Sequence, residues 1–320
     1  MVDRFPNFDY PTVSIVTPSF NQGEFIEQTI LSILNQSYTK IEYIMIDGES
    51  KDNTLDIISQ YREKISYFIS EPDNGQSHAI NKGLKISRGE IVGWLNSDDI
   101  LLPNSIESIV REFINDLSVG VVYGHNLRMN RNGKIIPTPL LEKDRLNFGI
   151  DYILHDPLVN QPGSFWRRTI MNKAGWLDET LSFAMDYEYW IRLAILGIKF
   201  KRLDRSLAIY RLNPNSKTST KSSEMAFEQV RVLEDLQKYN DFADLLGENQ
   251  IEIQKKINKV KANAFLKASY GKLKQKKIID SIKWFTKAIS LDPTVIFQDK
   301  WKSLLISKIN RSRYYWFTTL

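Results

Sequence analysis

The chain contains no cysteine. Disulfides and thiolate metal sites are therefore excluded, and the compartment is left open by that criterion. Histidine is nearly as scarce: His78, His125 and His155 are the only three, and they show no metal-ligand spacing. No apolar run approaches the roughly 20 residues that a spanning helix needs. The first residues, MVDRFPNFDYPTVSIV, lack the basic-then-apolar order of a signal peptide. There is no GxxxxGK[ST] phosphate loop and no GxGxxG after a strand, which argues against P-loop and dinucleotide folds. GxSxG is missing too, which argues against a nucleophile-elbow hydrolase. The expectation from these absences is a soluble, cytoplasmic protein.

What is present is an ordinary globular composition. The chain has 320 residues, 42% of them hydrophobic, enough for one large domain and a smaller one. Its net charge of +5 is unevenly spread. Residues 1–250 hold 27 Lys+Arg against 34 Asp+Glu, whereas residues 251–320 hold 16 against 4. That asymmetry points to two modules and a basic end that could meet an anionic surface. The same lysines could equally form a solvated helix face.

Strands and helices alternate from residue 12 to residue 123. Val13 to Thr17 is a β-branched run closed by Pro18, and Glu24 to Asn35 has apolar residues at helical spacing. Ile41 to Ile46 reads as a second strand, and Asp52 as the cap of a helix over Thr54 to Tyr61. Ser66 to Ser70, His78 to Ser87 and Glu90 to Leu95 continue the series. Asn104 is placed to cap a fourth helix, and Val119 to Tyr123 reads as a fifth strand. This order predicts an α/β fold with a mixed, mostly parallel sheet flanked by helices. Further on, Tyr187 to Leu196 reads as a helix and Lys199 to Tyr210 as two short strands. After a polar stretch, Asn213 to Ser223, helices are expected near 224–246, 250–270, 276–290 and 295–309. The domains are set at 1–222 and 223–320, the second helical and basic. Phe265, Phe285, Ala288 and Pro293 resemble one tetratricopeptide-type helix pair, and a single copy cannot form a solenoid.

In open α/β sheets ligands bind at the carboxyl ends of the strands. Three polar turns fall there: Asp47-Gly48-Glu49, Glu71 to Gln76 with Gly75, and Asn96-Ser97-Asp98-Asp99. Asp98 and Asp99 have the chemistry to hold Mg²⁺ or Mn²⁺, which share their shell with phosphate oxygens and water. The same residues could instead form a capping turn before Pro103. Asn96 offers a carbonyl oxygen without charge, and Trp94 before it reads as packing. Asp47 and Glu49 could accept hydrogen bonds from a base or ribose, or could cap a helix. Gly75 fits a positive φ, and Lys82 could balance a diphosphate or lie on a helix surface. Asp186 opens a helix that carries Trp190. It could cap that helix, or serve as the carboxylate that takes a proton from an attacking hydroxyl. His155 beside Asp156, near Gln161, could belong to a loop or line an acceptor.

Taken together, "VSIVTPSFNQGEFIEQTILSILNQSY", "IDGESKDNT", "EPDNGQSHAINKGLKISRGEIVGWLNSDDILLP", "QPGSFWRR" and "AMDYEYWIRLAILG" resemble the family 2 glycosyltransferases of the GT-A fold, over about residues 11–215. The resemblance implies an inverting transferase that uses a nucleotide-linked sugar, commonly a UDP-sugar. It implies that Pro18, Ser19, Phe20 and Asp47 hold the nucleoside, with Glu49, Gly75, Lys82, Asn96 and Ser97 also on the donor side. It places Asp98 and Asp99 at the metal and diphosphate, with Mn²⁺ or Mg²⁺ as cofactor, and Asp186 as base. Gln161, Trp190, Arg211 and Asn213 would meet acceptor or phosphate. The chain departs from the family pattern at Asn96, Gly48 and Asn213, where relatives often have Asp, an acid and His. The expected partners are a nucleotide-sugar, a glycan or lipid-linked acceptor and an anionic membrane surface, with no nucleic acid. The rival reading is an inactive GT-A-fold binding protein.

Overall fold

The computed structural model describes residues 10–136, 159–213, 221–236 and 250–297. The chain divides into two compact units, Met1–Thr220 and Lys221–Leu320.

The first unit starts with β1 (Val13–Ser19), α1 (Ile26–Leu34), β2 (Ile41–Asp47), α2 (Thr54–Gln60), β3 (Tyr67–Ser70), α3 (Gln76–Ile86) and β4 (Ile91–Trp94). The four strands pair in parallel in the order β3-β2-β1-β4. Strict alternation of strand and helix produces this half, because each parallel pair needs a helical crossover. β1 is buried throughout, so its residues are apolar on one face and small or apolar on the other. It runs two residues past Thr17, through the expected stop at Pro18. Val13 donates its N–H toward β2, to Lys40 O, so the even-numbered residues direct theirs toward β4. β4 pairs with β1 only as far as Val16. Pro18 therefore lacks an N–H where no strand lies to receive one.

β5 (Ile100–Leu101), α4 (Ser105–Asn115), β6 (Val119–Asn130), β7 (Ile135–Ile136), β8 (Phe165–Arg167), α5 (Met171–Ala174), α6 (Met185–Ile195) and β9 (Lys199–Leu212) complete the unit. Among the described residues nine strands make one sheet, extended from β4 through β8, β6, β9 and β5, with β7 beside β6. β8 is antiparallel to both its neighbours, so the sheet is mixed beyond β4. β9 is one long strand, not the two short ones expected. The polar Leu203–Arg205 stretch is accommodated as an irregularity in the register with β6, between the pairs Tyr123↔Arg202 and His125↔Ser206. Two caps also differ. Asn104 sits left-handed at φ 61° and caps α4 with its backbone carbonyl, not its side chain. Asp52 stands one residue before the start position yet still accepts the Thr54 N–H at 3.0 Å.

Ile26, Ile30 and Ile33 of α1 and Ile106, Ile109 and Phe113 of α4 bury one face of the sheet against Ile15, Tyr43 and Met45. β2 and β3 lie on one side of β1 and β4 on the other. The strand order thus reverses at β1, which opens a crevice at the carboxyl ends of β1 and β4.

The second unit contains α7 (Ser222–Leu236), α8 (Gln250–Lys274) and α9 (Ile278–Leu291). Its core joins Val230, Phe265, Leu266 and Ala288, with Trp284 stacked on Phe265 at 5.3 Å. Most of the expected 295–309 helix, and Trp301, Arg311, Arg313, Tyr314, Tyr315, Trp316 and Phe317 of the tail, lie outside the described residues. Among the described residues no helix is long and apolar enough to cross a membrane.

Candidate active site

Four strand ends meet at the crevice. At the end of β2, Asp47 is fully buried, and its carboxylate accepts bonds from Ser50 N at 2.8 Å, Ser50 Oγ at 2.5 Å and Ser70 Oγ at 2.8 Å. A carboxylate has about four acceptor sites, so three internal bonds nearly saturate it. Asp47 shapes the turn, and a second carboxylate is its neighbour at this strand end. Glu49, left-handed at φ 65°, is exposed and pairs with Lys51 at 3.1 Å.

That neighbour is Asp73. A Cβ added to Gly48 would lie 2.6 Å from Asp73 Oδ2 and 3.4 Å from Phe20 Cδ2. Glycine here leaves open the space between a carboxylate and an aromatic ring, which a side chain would enter by displacing Asp73. Phe20 follows β1 and is 58% exposed. Beside it the buried Ser19 hydroxyl has no hydrogen-bond partner among the described residues. Asp73 Oδ1 accepts the Gly75 N–H at 2.8 Å, and Gly75 enters α3 at φ 110° with open space around it. Lys82 reaches back to the turn that follows β3. It pairs with Glu71 at 2.7 Å and donates to Pro72 O at 3.3 Å.

At the end of β4 the Asn96–Asp99 loop is held by a side-chain network. Asn96 donates from Nδ2 to Asp99 Oδ2 at 3.1 Å and to Gln161 Oε1 at 3.0 Å. Its Oδ1 accepts from Gln76 Nε2 at 2.8 Å. Gln161 in turn donates to Trp94 O at 2.8 Å. Asn96 thus braces the loop through three side chains. An aspartate there would set two carboxylates together with no amide to join them.

Asp99 is fully buried, and its second oxygen accepts the Arg211 N–H at 3.1 Å. Each Asp99 oxygen accepts one hydrogen bond, which uses two of the carboxylate's roughly four acceptor sites and holds it in place. Asp98 is half-buried, and no hydrogen bond from another described residue reaches its carboxylate. Burial raises the Asp98 carboxyl above its ordinary range, opposed by Arg211. Burial raises Asp99 further, with Asp98 adding to the shift and Arg211 and Asn96 opposing it. Arg211 lies over the Phe25 ring at 4.6 Å and donates to Asp98 O at 2.9 Å and Gln28 Oε1 at 2.6 Å. β5 pairs antiparallel with β9, which delivers Arg211 to this loop from more than a hundred residues away. Asn213 follows, half-buried. Ser97 is buried in the loop itself.

Among the described residues no three His, Cys, Asp or Glu side chains converge as a metal cage. Mg²⁺ and Mn²⁺ bound with nucleotide phosphates need only one or two carboxylates, the rest being phosphate and water oxygens. Asp98 fits that kind of cation and no all-protein cage.

Asp186 lies in the first turn of α6, half-buried. Burial pushes its carboxyl up to about 6, against the Tyr187 N–H that it accepts at 2.8 Å. One turn further on, Trp190 stacks on Trp94 with ring centroids 5.9 Å apart and planes 6° from parallel. Trp166 crosses both rings edge-on. This stack ties the helix bearing Asp186 to the strand end bearing Asp98. Two of the acceptor candidates are buried, Trp190 at 2% and Gln161 at 7% exposed. Glu188, the other acid of the helix start, pairs with Arg192. His155 and Asp156 lie outside the described residues. Gln28, Gln76 and Ser70 were missed as site partners, because each contact joins elements that no local pattern connects; Ser50 was missed although it bonds Asp47 within one turn.

The architecture is the GT-A fold. Over 89% of this chain and 91% of the other, it superposes on residues 1–349 of S. aureus TarS in complex with UDP-GlcNAc, with a TM-score of 0.61 and 15% identity. A mannosyltransferase from Pyrobaculum calidifontis, in complex with GDP-Man and Mn²⁺, matches with a TM-score of 0.63 and 16% identity over 98% of this chain and 84% of that one. Residues 14–171 match the glycosyl transferase family 2 model, and this part of the chain belongs to that family. The chain is 31% identical over 187 residues to an uncharacterized glycosyltransferase of Rickettsia typhi, covering 57% of this chain and 58% of that protein. It is 29% identical over 201 residues to a chondroitin synthase of Escherichia coli, covering 61% of this chain and 28% of that protein. It thus spans less than two thirds of either relative's length.

Proposed function

We propose that the protein is an inverting glycosyltransferase that moves a sugar from a nucleoside-diphosphate donor, a UDP-sugar, to a hydroxyl of a glycan or lipid-linked acceptor. The observation that carries this reading is Asp186, held near pKa 6 one helical turn from Trp190, whose ring stacks on Trp94 at the end of β4, just before the Asp98 loop. A base poised near neutral pH is suited to proton transfer in the transition state. The acceptor oxygen attacks the anomeric carbon while its proton passes to Asp186. The bond from that carbon to the diphosphate breaks, and the nucleotide leaves with the electron pair. Phe20 offers a face for the base, and Asp73 Oδ2, beside Gly48, an acceptor for a base N–H. Asp98 would hold a divalent cation, which supplies positive charge to the departing diphosphate. Asp99, Asn96 and Arg211 keep Asp98 in place.

The inactive binding-protein reading has one observation in its favour: Asp99, the second carboxylate of the loop, is already hydrogen-bonded through both oxygens. UDP release from UDP-sugars with Mn²⁺ separates the two. Activity lost in Asp186→Asn and Asp98→Ala supports catalysis. No turnover of any nucleotide-sugar, with nucleotide binding intact, favours the binding protein. The setting we infer is bacterial surface-polysaccharide synthesis at the cytoplasmic face of the plasma membrane, with the basic C-terminal region on anionic lipid.

A further inference from the structure

Three isoleucines at the start of α9 face solvent. Ile278, Ile279 and Ile282 are 61%, 84% and 58% exposed. Spacings of three and four residues put Ile282 beside both others on the helix surface, so they form one patch. Rotating the helix cannot hide them, because its other face is in use. Ser281 and Ala288 are buried there, Ser269 Oγ donates to Ser281 O at 2.8 Å, and Trp284 stacks on Phe265. Isolated surface isoleucines are ordinary, but three within five residues mark a contact surface.

The surrounding charge selects what the patch contacts. From Lys272 to Lys287 the sequence has six lysines and one acid, Asp280. Lys276, left-handed at φ 61°, and Lys277 form the exposed turn immediately before Ile278. Lys283 and Lys287 lie over the Trp284 ring at 5.4 and 5.6 Å, so their charge stays close to the helix. An apolar patch collared by lysine suits an interface that is apolar beneath and anionic at its rim, which is the order of an anionic lipid monolayer.

We infer that the α8–α9 turn and the first turn of α9 form a membrane-insertion site for anionic lipid. The isoleucines enter the acyl boundary and the lysines meet the headgroup phosphates. This rests on the reading of the basic C-terminal region as membrane-facing, and moves the contact from the chain end to α9. It does not need the transferase reading, whose failure would show as absent UDP release with vesicle binding intact.

The test is co-sedimentation of the full chain with phosphatidylcholine vesicles, with and without phosphatidylglycerol. Wild type should bind only the anionic vesicles, and less as salt rises. The triple change Ile278→Ser, Ile279→Ser, Ile282→Ser should weaken binding at least about tenfold, since each isoleucine loses apolar burial. Lys276→Gln with Lys277→Gln should weaken it by roughly fivefold per lysine. Melting temperatures should hold, because all five side chains are exposed. Unchanged binding by the isoleucine variant, or no anionic-vesicle binding by wild type, would overturn the inference. So would a concentration-dependent dimer, lost in the isoleucine variant, in a chain that ignores vesicles.

Discussion

Asp186→Asn should stabilise the protein while abolishing transfer. Burial raises the Asp186 carboxyl to about 6, from an ordinary value of 3.8. The folded state therefore holds this proton more tightly than the unfolded state. Below pH 3.8 both states are protonated and no penalty exists. As pH rises through the window from 3.8 to about 6, the folded chain must ionise a buried group and loses stability. Two units at 1.36 kcal/mol each set a ceiling near 3 kcal/mol, and the half-exposed edge of the site reduces it to about 2. Asparagine keeps the oxygen that accepts the Tyr187 N–H and removes the charge. At pH 8 the variant should melt about 4–8 °C higher than wild type, given 2–4 °C per kcal/mol for a unit of this size. At pH 4 the two should nearly coincide. Wild-type kcat should rise with pH around an inflection near 6, and the variant should lose about 10²–10⁴-fold in rate. Calorimetry at both pH values and a UDP-release assay test the pair of effects. An Asp186→Asn protein that melts lower at pH 8, or that keeps its activity, would refute the reasoning.

Arg211→Gln leaves Asp98 and Asp99 without their cation and should destabilise by about 3 kcal/mol at pH 8, measurable by urea unfolding. The loss should shrink in acid, where both raised carboxyls are protonated. Asn96→Asp replaces the amide that bonds Asp99 with a like charge, so the melting temperature at pH 8 should fall, and Mn²⁺ should recover more of it than in wild type. Gly48→Ala puts a methyl 2.6 Å from Asp73 Oδ2 and should weaken UDP binding at least about tenfold by calorimetric titration, with little change in melting.

The parallel half of the sheet was legible because its determinants are local. β-branched runs, helical spacing and a polar turn after each strand are all short-range patterns, and they marked Asp47, the Glu71–Gln76 turn and Asn96–Asp99 at one edge. The caps were less legible. Asn104 has the right residue type, but its left-handed backbone assigns the capping to a carbonyl.

By itself, then, the sequence determined the alternation of strand and helix, the edge where chemistry collects, and the family of residues 14–171. Only the tertiary structure decided which polar groups are free. Asp47, Asp99, Asn96 and Lys82 all read as ligands along the chain, yet each is engaged by Ser70, Arg211, Gln76 or Glu71 from another element. Among the described residues Asp98 is left with open carboxylate capacity, Asp73 Oδ2 faces the space that Gly48 leaves empty, and burial lifts Asp186 to about 6. The physical reason is that a hydrogen bond is spent once. Which carboxylate keeps its lone pairs for a ligand depends on what the fold brings beside it, and sequence distance carries no record of that.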